Sequence, residues 1–201
     1  MNDLPGGAAL SRQSILELLE APEPLIAGYL DLDAQAQPNG FDVTVGEVQE
    51  YNSLGKLTEA DRSLSSTRTL QWNSSGDLDL EPGPYLAVLN ERISLPLHIM
   101  ALMQPRSTLL RSGVTLHTAV WDAGYRGRSQ VMLTVLNPQG FCLGRNARIG
   151  QLVFFHLDRQ LLQGYQGQYQ DENLASPKAS SAPMSAGLGS SNAMPSEGYG
   201  R

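Results

Sequence analysis

Short apolar stretches punctuated by glycine and proline fill the chain from about residue 41 to residue 157. In three of them the apolar residues occupy every second position: Phe41, Val43 and Val45; Tyr85, Ala87 and Leu89; Val131, Leu133 and Val135. Such alternation predicts strands with one buried face. With 20 Gly and 12 Pro among 201 residues, the pattern predicts a mainly β domain, either a sandwich, a jelly roll or a small barrel.

The two ends of the chain and one internal stretch depart from this pattern. Residues 10–20 predict a short helix with Ser11 as its N-cap, ended by Pro22 and Pro24. Residues 52–76 are polar and rich in Ser and Thr, which predicts a long loop or an insertion. In residues 175–201, Ser, Ala, Gly and Pro make up 19 of 27 positions, too few apolar residues to fold alone. We therefore predict a domain over residues 1–174 and a flexible tail over 175–201.

Charge and composition narrow the classes of partner. A net charge of −6 and a pI near 5.0 argue against binding to polymeric nucleic acid, although local arginines can still hold one nucleotide. No apolar run reaches the ~18 residues of a membrane span, and no leader is visible, so we expect a cytoplasmic protein without membrane contact. The single Cys142 excludes an intrachain disulfide, and the three His residues lack metal-ligand spacing.

Polar residues suited to phosphate binding concentrate in residues 104–113. Arg106 and Arg111 lie five positions apart, and Ser107 and Thr108 follow the first arginine. Guanidinium groups bind phosphate oxygens in a bidentate manner, and hydroxyl and amide groups complete such a cradle. An ordinary turn between two strands is the alternative for this segment.

A second candidate is Asp122, which follows the apolar run 119–121 and precedes Gly124. A carboxylate fixed at the end of a strand can orient a water molecule as a nucleophile, although Asp before Gly is also a common turn former. Tyr125 could present its ring to a sugar or a base. Further on, Arg148 and Gln151 lie beside an apolar strand.

In their order and spacing these segments resemble the motifs of the dUTPase and dCTP deaminase superfamily, most closely its archaeal-type dUTPase branch. The resemblance covers about residues 10–170. It rests on NGFD at 39–42, the proline-marked run 81–113 that ends in QPRSTLLRSG, AVWDAGYRG at 119–127 and ARIGQLVF at 147–154.

The resemblance implies a dUTPase-like jelly roll or β-clip barrel and a homotrimer with sites shared between subunits. It implies Mg²⁺-dependent hydrolysis of dUTP to dUMP and pyrophosphate, with Asp122 orienting the attacking water. Asp42 would reach the metal through its water shell. The residues implied for phosphate binding are Arg106, Ser107, Thr108, Arg111, Arg148 and Gln151. Those implied for the sugar and base are His117, Thr118, Tyr125, Tyr165, Gln168 and Tyr169.

Three departures from the family pattern keep alternatives open. Thr134 stands where the deaminase branch carries a catalytic Glu, which favours dUTP hydrolysis over a dCTP deaminase or a bifunctional enzyme. The segment from Gly113 to Asp122 is about two residues shorter than in many members. The glycine-rich motif of ordinary dUTPases is replaced by GYQGQYQ at 164–170, with residues 187–191 a weaker candidate. A non-catalytic nucleotide-binding module and a purely structural β-trimer are the remaining alternatives.

Overall fold

An antiparallel sheet of eight strands organises residues 7–174, the part of the chain that the computed structural model describes. The predicted tail, including residues 187–191, lies outside these residues. Three short helices are present in the described residues: α1 (Arg12–Leu19), α2 (Leu32–Gln35) and α3 (Ser107–Arg111). The strands in chain order are β1 (Ile26–Ala27), β2 (Ala36–Gln37), β3 (Gly40–Tyr51), β4 (Lys56–Leu57), β5 (Arg62–Ser63), β6 (Thr67–Thr69), β7 (Asp77–Leu80), β8 (Gly83–Leu89), β9 (Arg92–Ser94), β10 (Ile99–Pro105), β11 (Val114–His117), β12 (Arg126–Gly127), β13 (Gln130–Val135), β14 (Phe141–Gly144) and β15 (Arg148–His156).

The main sheet runs in the order β10-β15-β3-β8-β13-β11, with β2 and β6 added to β3. Its two end strands, β10 and β11, are joined by α3 and lie close to each other. The sheet therefore curls into a nearly closed antiparallel barrel, and the prediction of a mainly β domain is confirmed. Smaller sheets, β1-β9-β12 and β14-β7, and the hairpin β4-β5 complete the described residues.

The interior of the barrel holds the apolar side chains that alternation predicted, except Tyr85, which is only half-buried. Residues Val131, Leu133 and Val135 of β13 are buried, whereas the residues between them are half-exposed. The fully enclosed side chains are mostly aliphatic and include Phe41, Val43, Val45, Leu89, Ile93, Ile99, Leu133, Ile149, Leu152 and Phe154. Removing such side chains from water is the main contribution to the stability of this fold.

The first helix agrees with its prediction. The side chain of Ser11 caps α1 by accepting a hydrogen bond of 3.3 Å from the amide of Ser14, and Ile15 is buried beneath the helix. None of the helices in residues 7–174 is long and apolar enough to cross a membrane.

Residues 52–76, predicted as a long loop or an insertion, are mostly irregular but contain three short strands. The chain there forms β4 and β5, which pair with each other, and β6, which pairs with the end of β3. These strands are mostly exposed, so backbone pairing rather than burial defines them. We call residues 51–67 the arm.

Candidate active site

Asp42 joins two of the predicted phosphate-binding arginines. Its carboxylate, only 3% exposed, accepts hydrogen bonds through Oδ2 from the Nη1 atoms of Arg106 and Arg148, the latter at 3.3 Å. Both guanidinium groups remain partly open to solvent, at 29% and 36% exposure. We call these three residues the arginine cluster. Two cations against one carboxylate leave it with a net positive charge, suited to an anionic ligand.

Strand register brings the cluster together. In the pairing of β3 with β15, Asp42 lies opposite Gln151, and Arg148 opens β15 two positions before Gly150. Arg106 directly follows β10, which pairs with β15 on its other side. Burial and the charge of Arg148 both lower the pKa of Arg106, although arginine stays protonated at neutral pH.

Beside the cluster, the predicted phosphate-binding turn forms the short helix α3. Arg106 occupies its N-cap position without capping it through its side chain. Ser107, Thr108 and Arg111 are exposed on this helix, while Leu109 anchors it in the core. Gln151 packs against Gly40, where an added Cβ would lie 2.5 Å from Nε2 of the glutamine. A glycine is thus required at position 40 for Gln151 to lie where it does.

Asp122 lies elsewhere, at the wall of a cavity of about 890 Å³. The carboxylate belongs to an exposed residue in the turn after Trp121, and Trp121 pairs with Ala101 of β10. Aromatic side chains and the arm provide much of the remaining wall, which includes Tyr125, Tyr165, Tyr169, Lys56, Leu57 and Leu64. We call this space the Asp122 cavity.

A chain of hydrogen bonds fixes Tyr125 next to Asp122. Trp121 donates its indole N–H to Oγ of Ser129 at 2.7 Å, and the Ser129 and Tyr125 hydroxyls are 2.8 Å apart. The Tyr125 hydroxyl donates to Oε1 of Glu172 at 2.7 Å. Burial is the main cause that raises the pKa of Tyr125, and burial also raises the pKa of Glu172. The ring of Tyr125 is therefore held in one orientation by groups on both sides of it.

Glu172 belongs to residues 164–174, which we call the C-terminal segment. This segment runs alongside the turn that contains Asp122. The amide of Tyr165 donates to the carbonyl of Ala123 at 2.9 Å, and the amide of Asp171 donates to the carbonyl of Arg126 at 2.8 Å. The backbones of Gly124 and Gly164 touch, since a Cβ on Gly164 would lie 2.8 Å from the Cα of Gly124.

Of the aromatic and amide residues that the sequence singled out in this segment, Tyr165 and Tyr169 line the Asp122 cavity. Gln168 does not line it. Its side chain instead accepts a hydrogen bond of 2.5 Å from Arg62 of the arm. His117 and Thr118 are exposed at and just beyond the end of β11, outside the cavity wall.

Within one chain the arginine cluster and Asp122 are far apart. Trp121 pairs with Ala101 in antiparallel fashion, so Asp122 lies level with Met100 near the start of β10, and Arg106 follows the end of that strand. At about 3.3 Å per residue this separation is roughly 20 Å of strand length. Thr134 is also remote from the Asp122 cavity. Gln130 is the residue of β13 that lines this cavity, and it lies at the opposite end of the strand from Thr134.

Direct metal binding has little support in the described residues. In residues 7–174 no group of three or more His, Cys, Asp or Glu side chains could hold a metal ion. The Oδ2 atom of Asp42 already accepts from two guanidinium groups, so Asp42 does not fit as a direct ligand. Mg²⁺ retains water and binds phosphate oxygens readily, which fits an ion that arrives with a triphosphate.

Sequence reasoning missed several residues that shape both regions. Glu91, Gln35 and Thr44 form a buried network behind the arginine cluster, and Ser129 with Glu172 fixes Tyr125. The stretch 52–76, which contains most of the arm, was predicted as a long loop or an insertion and was given no role. A charged residue in the apolar run 85–95 was the one available signal for Glu91.

Comparison with known proteins relates this arrangement to one family. Residues 9–157 match the family described as dCTP deaminase-like. A protein of Methanococcoides burtonii named "Probable deoxyuridine 5'-triphosphate nucleotidohydrolase" is 44% identical over 167 residues, which are 82% of this chain and 98% of the relative. A protein of the same name from Archaeoglobus fulgidus is 45% identical over 170 residues, 84% of this chain and 99% of the relative.

Among solved structures, the 2'-deoxycytidine 5'-triphosphate deaminase of Agrobacterium tumefaciens superposes with a TM-score of 0.60 at 20% identity. The alignment covers 76% of this chain and 49% of the deaminase, so the chain spans about half the length of that protein. At this identity the likeness shows a shared fold alone. The family match extends over well more than half of the sequence and includes the arginine cluster and the Asp122 turn, and the chain therefore belongs to the dCTP deaminase-like family.

Proposed function

We propose that this protein hydrolyses dUTP to dUMP and pyrophosphate. The observation that carries the proposal is the exposed Asp122 carboxylate at the wall of an aromatic cavity. It is supported by the two relatives of 44% and 45% identity, both named "Probable deoxyuridine 5'-triphosphate nucleotidohydrolase", which align over nearly their whole length.

In the proposed reaction Asp122 orients a water molecule for in-line attack on the α-phosphorus and accepts its proton. A bond forms between the water oxygen and the α-phosphorus, the bond to the α,β-bridging oxygen breaks, and pyrophosphate leaves. Reactions at phosphorus depend mainly on positioning and on charge neutralisation. The protein therefore needs a fixed carboxylate and a set of cations more than a covalent nucleophile.

Phosphate binding is assigned to the arginine cluster and to α3. Arg106 and Arg148 are partly exposed beside Asp42, and Ser107, Thr108 and Arg111 are exposed on the adjacent helix. Gln151 adds an amide next to Asp42 in the strand register. The substrate is taken to be the Mg²⁺ complex of dUTP, in which the ion neutralises phosphate charge, and Asp42 is expected to face its water shell.

Recognition of the sugar and base is assigned to the Asp122 cavity. The hydrogen bonds of Tyr125 hold its ring in place, which suits packing against deoxyribose without room for a 2′-hydroxyl. Tyr165 and Tyr169 supply further aromatic surface. His117, Thr118 and Gln168 retain their predicted roles near the base, although in this single chain they lie outside the cavity wall.

We also propose that the protein is a cytoplasmic homotrimer. Because Asp122 and the arginine cluster are far apart within one chain, two different copies would provide the two halves of each site. Identical subunits close readily into rings when the same contact repeats. In such a ring the cluster of one copy would face the Asp122 cavity of the next, so that one nucleotide spans both.

The test is release of pyrophosphate in the presence of Mg²⁺ from dUTP, dCTP, dTTP and UTP, each with identification of the nucleotide product. We expect release from dUTP, with dUMP as the product, and little from the other three. Conversion of dCTP to a uracil nucleotide would contradict the role given to Thr134, which has no ionisable group to move protons during deamination. Binding of dUTP without turnover would indicate a non-catalytic module.

A further inference from the structure

Glu91, in the turn between β8 and β9, is a fully buried acidic residue without a cationic partner. Its exposure is 0%, and no ion pair to it occurs among residues 7–174. An unpaired buried carboxylate is costly unless hydrogen bonds satisfy it. Glu91 lies behind the arginine cluster, and its hydrogen-bond partners show which parts of the cluster it holds in place.

Three donors converge on the Glu91 carboxylate. Oε2 accepts from the amide of Thr44 at 2.9 Å, and Oε1 accepts from the Thr44 hydroxyl and from Nε2 of Gln35, both at 2.7 Å. Each partner presents a hydrogen to the glutamate. A carboxylate, which only accepts, therefore matches this site, and an amide in its place would direct a donor against another donor.

Gln35 connects Glu91 to the backbone of Asp42. Its Nε2 also donates to the carbonyl of Asp42 at 2.9 Å, and its Oε1 accepts from the amides of Leu30 and Asp31 at 2.8 and 2.9 Å. All four hydrogen-bonding positions of the amide are thus occupied. The peptide of Asp42 is fixed from behind while its carboxylate points to the arginines.

Thr44 connects Glu91 to the part of the chain that carries Arg148. Thr44 lies opposite Arg148 in the β3–β15 pairing, next to an irregularity in the register. Its hydroxyl also accepts from Nδ2 of Asn90 at 2.9 Å, and that amide donates to Oδ1 of Asn146 at the same distance. Asn146 has a left-handed backbone, with φ of 64°, in the turn that leads into Arg148.

We propose that Glu91 is a positioning residue for phosphate binding, which holds Asp42 and Arg148 in the arrangement that receives a triphosphate. Glu91 is too deeply buried to touch the ligand. It acts on the cluster through Gln35 on one side and through Thr44, Asn90 and Asn146 on the other. This inference rests on the proposed function, because it takes the cluster to be a phosphate site.

The test compares Glu91→Gln with the unchanged protein by calorimetric titration of inorganic tripolyphosphate, alongside steady-state kinetics with dUTP. We expect the Kd for tripolyphosphate and the KM for dUTP to rise at least about ten-fold, with kcat changed less than about three-fold. Val131→Ala, a core substitution in β13, is the control for a general loss of stability. It should lower the melting temperature and leave the Kd for tripolyphosphate unchanged.

The inference is overturned if the unchanged protein binds no tripolyphosphate, if Glu91→Gln binds it as tightly, or if Val131→Ala loses as much affinity. Should Glu91→Gln fail to fold, Asn90→Ala decides, because it removes the hydrogen bonds to Thr44 and Asn146 and leaves the three donors on Glu91 in place. A several-fold weaker Kd supports the proposal, and an unchanged Kd contradicts it. Failure of the proposed function is separately visible as binding of tripolyphosphate without turnover of dUTP.

Discussion

The hydroxyl of Tyr125 donates a hydrogen bond of 2.7 Å to Oε1 of Glu172, a residue 47 positions further along the chain. This contact joins the turn that carries Asp122 to the C-terminal segment. Because Glu172 is half-buried and also lines the Asp122 cavity, its protonation state affects both the stability of the segment and the polarity of the cavity wall.

We expect Glu172→Gln to change how stability depends on pH. Burial raises the pKa of Glu172, and the hydrogen bond from Tyr125 lowers it by less. A raised pKa means that the folded protein binds this proton more tightly than the unfolded chain. The resulting stabilisation is complete below the ordinary pKa of 4.5 and is lost as pH rises through the folded-state value.

Glutamine keeps the acceptor for Tyr125 and does not titrate. The melting temperature of Glu172→Gln, relative to the unchanged protein, should therefore be higher at about pH 8 than at about pH 4. Thermal unfolding followed by circular dichroism across this range measures the difference. A difference that is constant with pH would show that Glu172 has no raised pKa.

Replacement of Asp122 by Asn should lower kcat for dUTP by roughly 10²–10⁴, the usual contribution of a group that orients water and accepts its proton. The substrate Kd should change little, because the amide has the same size and the residue is exposed. Single-turnover pyrophosphate release and equilibrium binding separate the two quantities. Asp158→Asn, at an exposed aspartate after β15, is the matched control, and equal activity of the two variants would refute the mechanism.

Arg106→Ala should weaken both binding and folding. It removes one of the two guanidinium groups that satisfy the buried Asp42 carboxylate, and a buried charge left partly unsatisfied costs about 1–3 kcal/mol. We expect the KM for dUTP to rise more than about ten-fold, since a bidentate phosphate contact is lost. Urea unfolding and kinetics measure the two effects, with Arg159→Ala as an exposed arginine control. A loss of stability with an unchanged KM would mean that Arg106 serves the fold alone.

Gly164→Ala should displace the C-terminal segment from the Asp122 turn. The added Cβ would lie 2.7 Å from Leu97 and 2.8 Å from Gly124, and such overpacking costs about 1–3 kcal/mol. Hydrogen exchange should show faster exchange of the Tyr165 amide, which is bonded to Ala123. At Gly144 the nearest atom to an added Cβ is 3.4 Å away, so Gly144→Ala is the control. Equal exchange in both variants would show that the glycine contact does not hold the segment.

The mainly β fold could be predicted because one residue in two along several stretches had to face a core, and β13 follows this rule closely. In β3 the alternation alone did not predict which residues are buried. Asp42 and Thr44 occupy the polar positions of the alternation, and yet both are buried, because arginines from two other elements and Glu91 cover them. Partners 47 to 106 positions away leave no local signal in the sequence.

Residues 52–76 illustrate the opposite case. Their strands β4, β5 and β6 are exposed and short, so no apolar periodicity marks them. Backbone pairing defines them, and on β6 it is joined by polar side-chain contacts with β3, such as Thr69 with Glu47. The position of the arm beside Asp122 likewise depends on the path of β3, which leads into it. Single residues such as Asp122 and Arg106 could be singled out from their motifs, but their distance from each other follows only from the pairing of Trp121 with Ala101.

The position of these two residues at opposite ends of β10 has a consequence for mixtures of defective chains. If each site takes Asp122 from one copy and Arg106 from another, an Asp122→Asn chain and an Arg106→Ala chain carry complementary defects. Unfolding and refolding the two defective proteins together in equal amounts should then restore roughly a quarter of the sites, by random assortment within closed rings. Two proteins that are each impaired would then give a more active mixture than either alone, as in complementation between alleles of one gene.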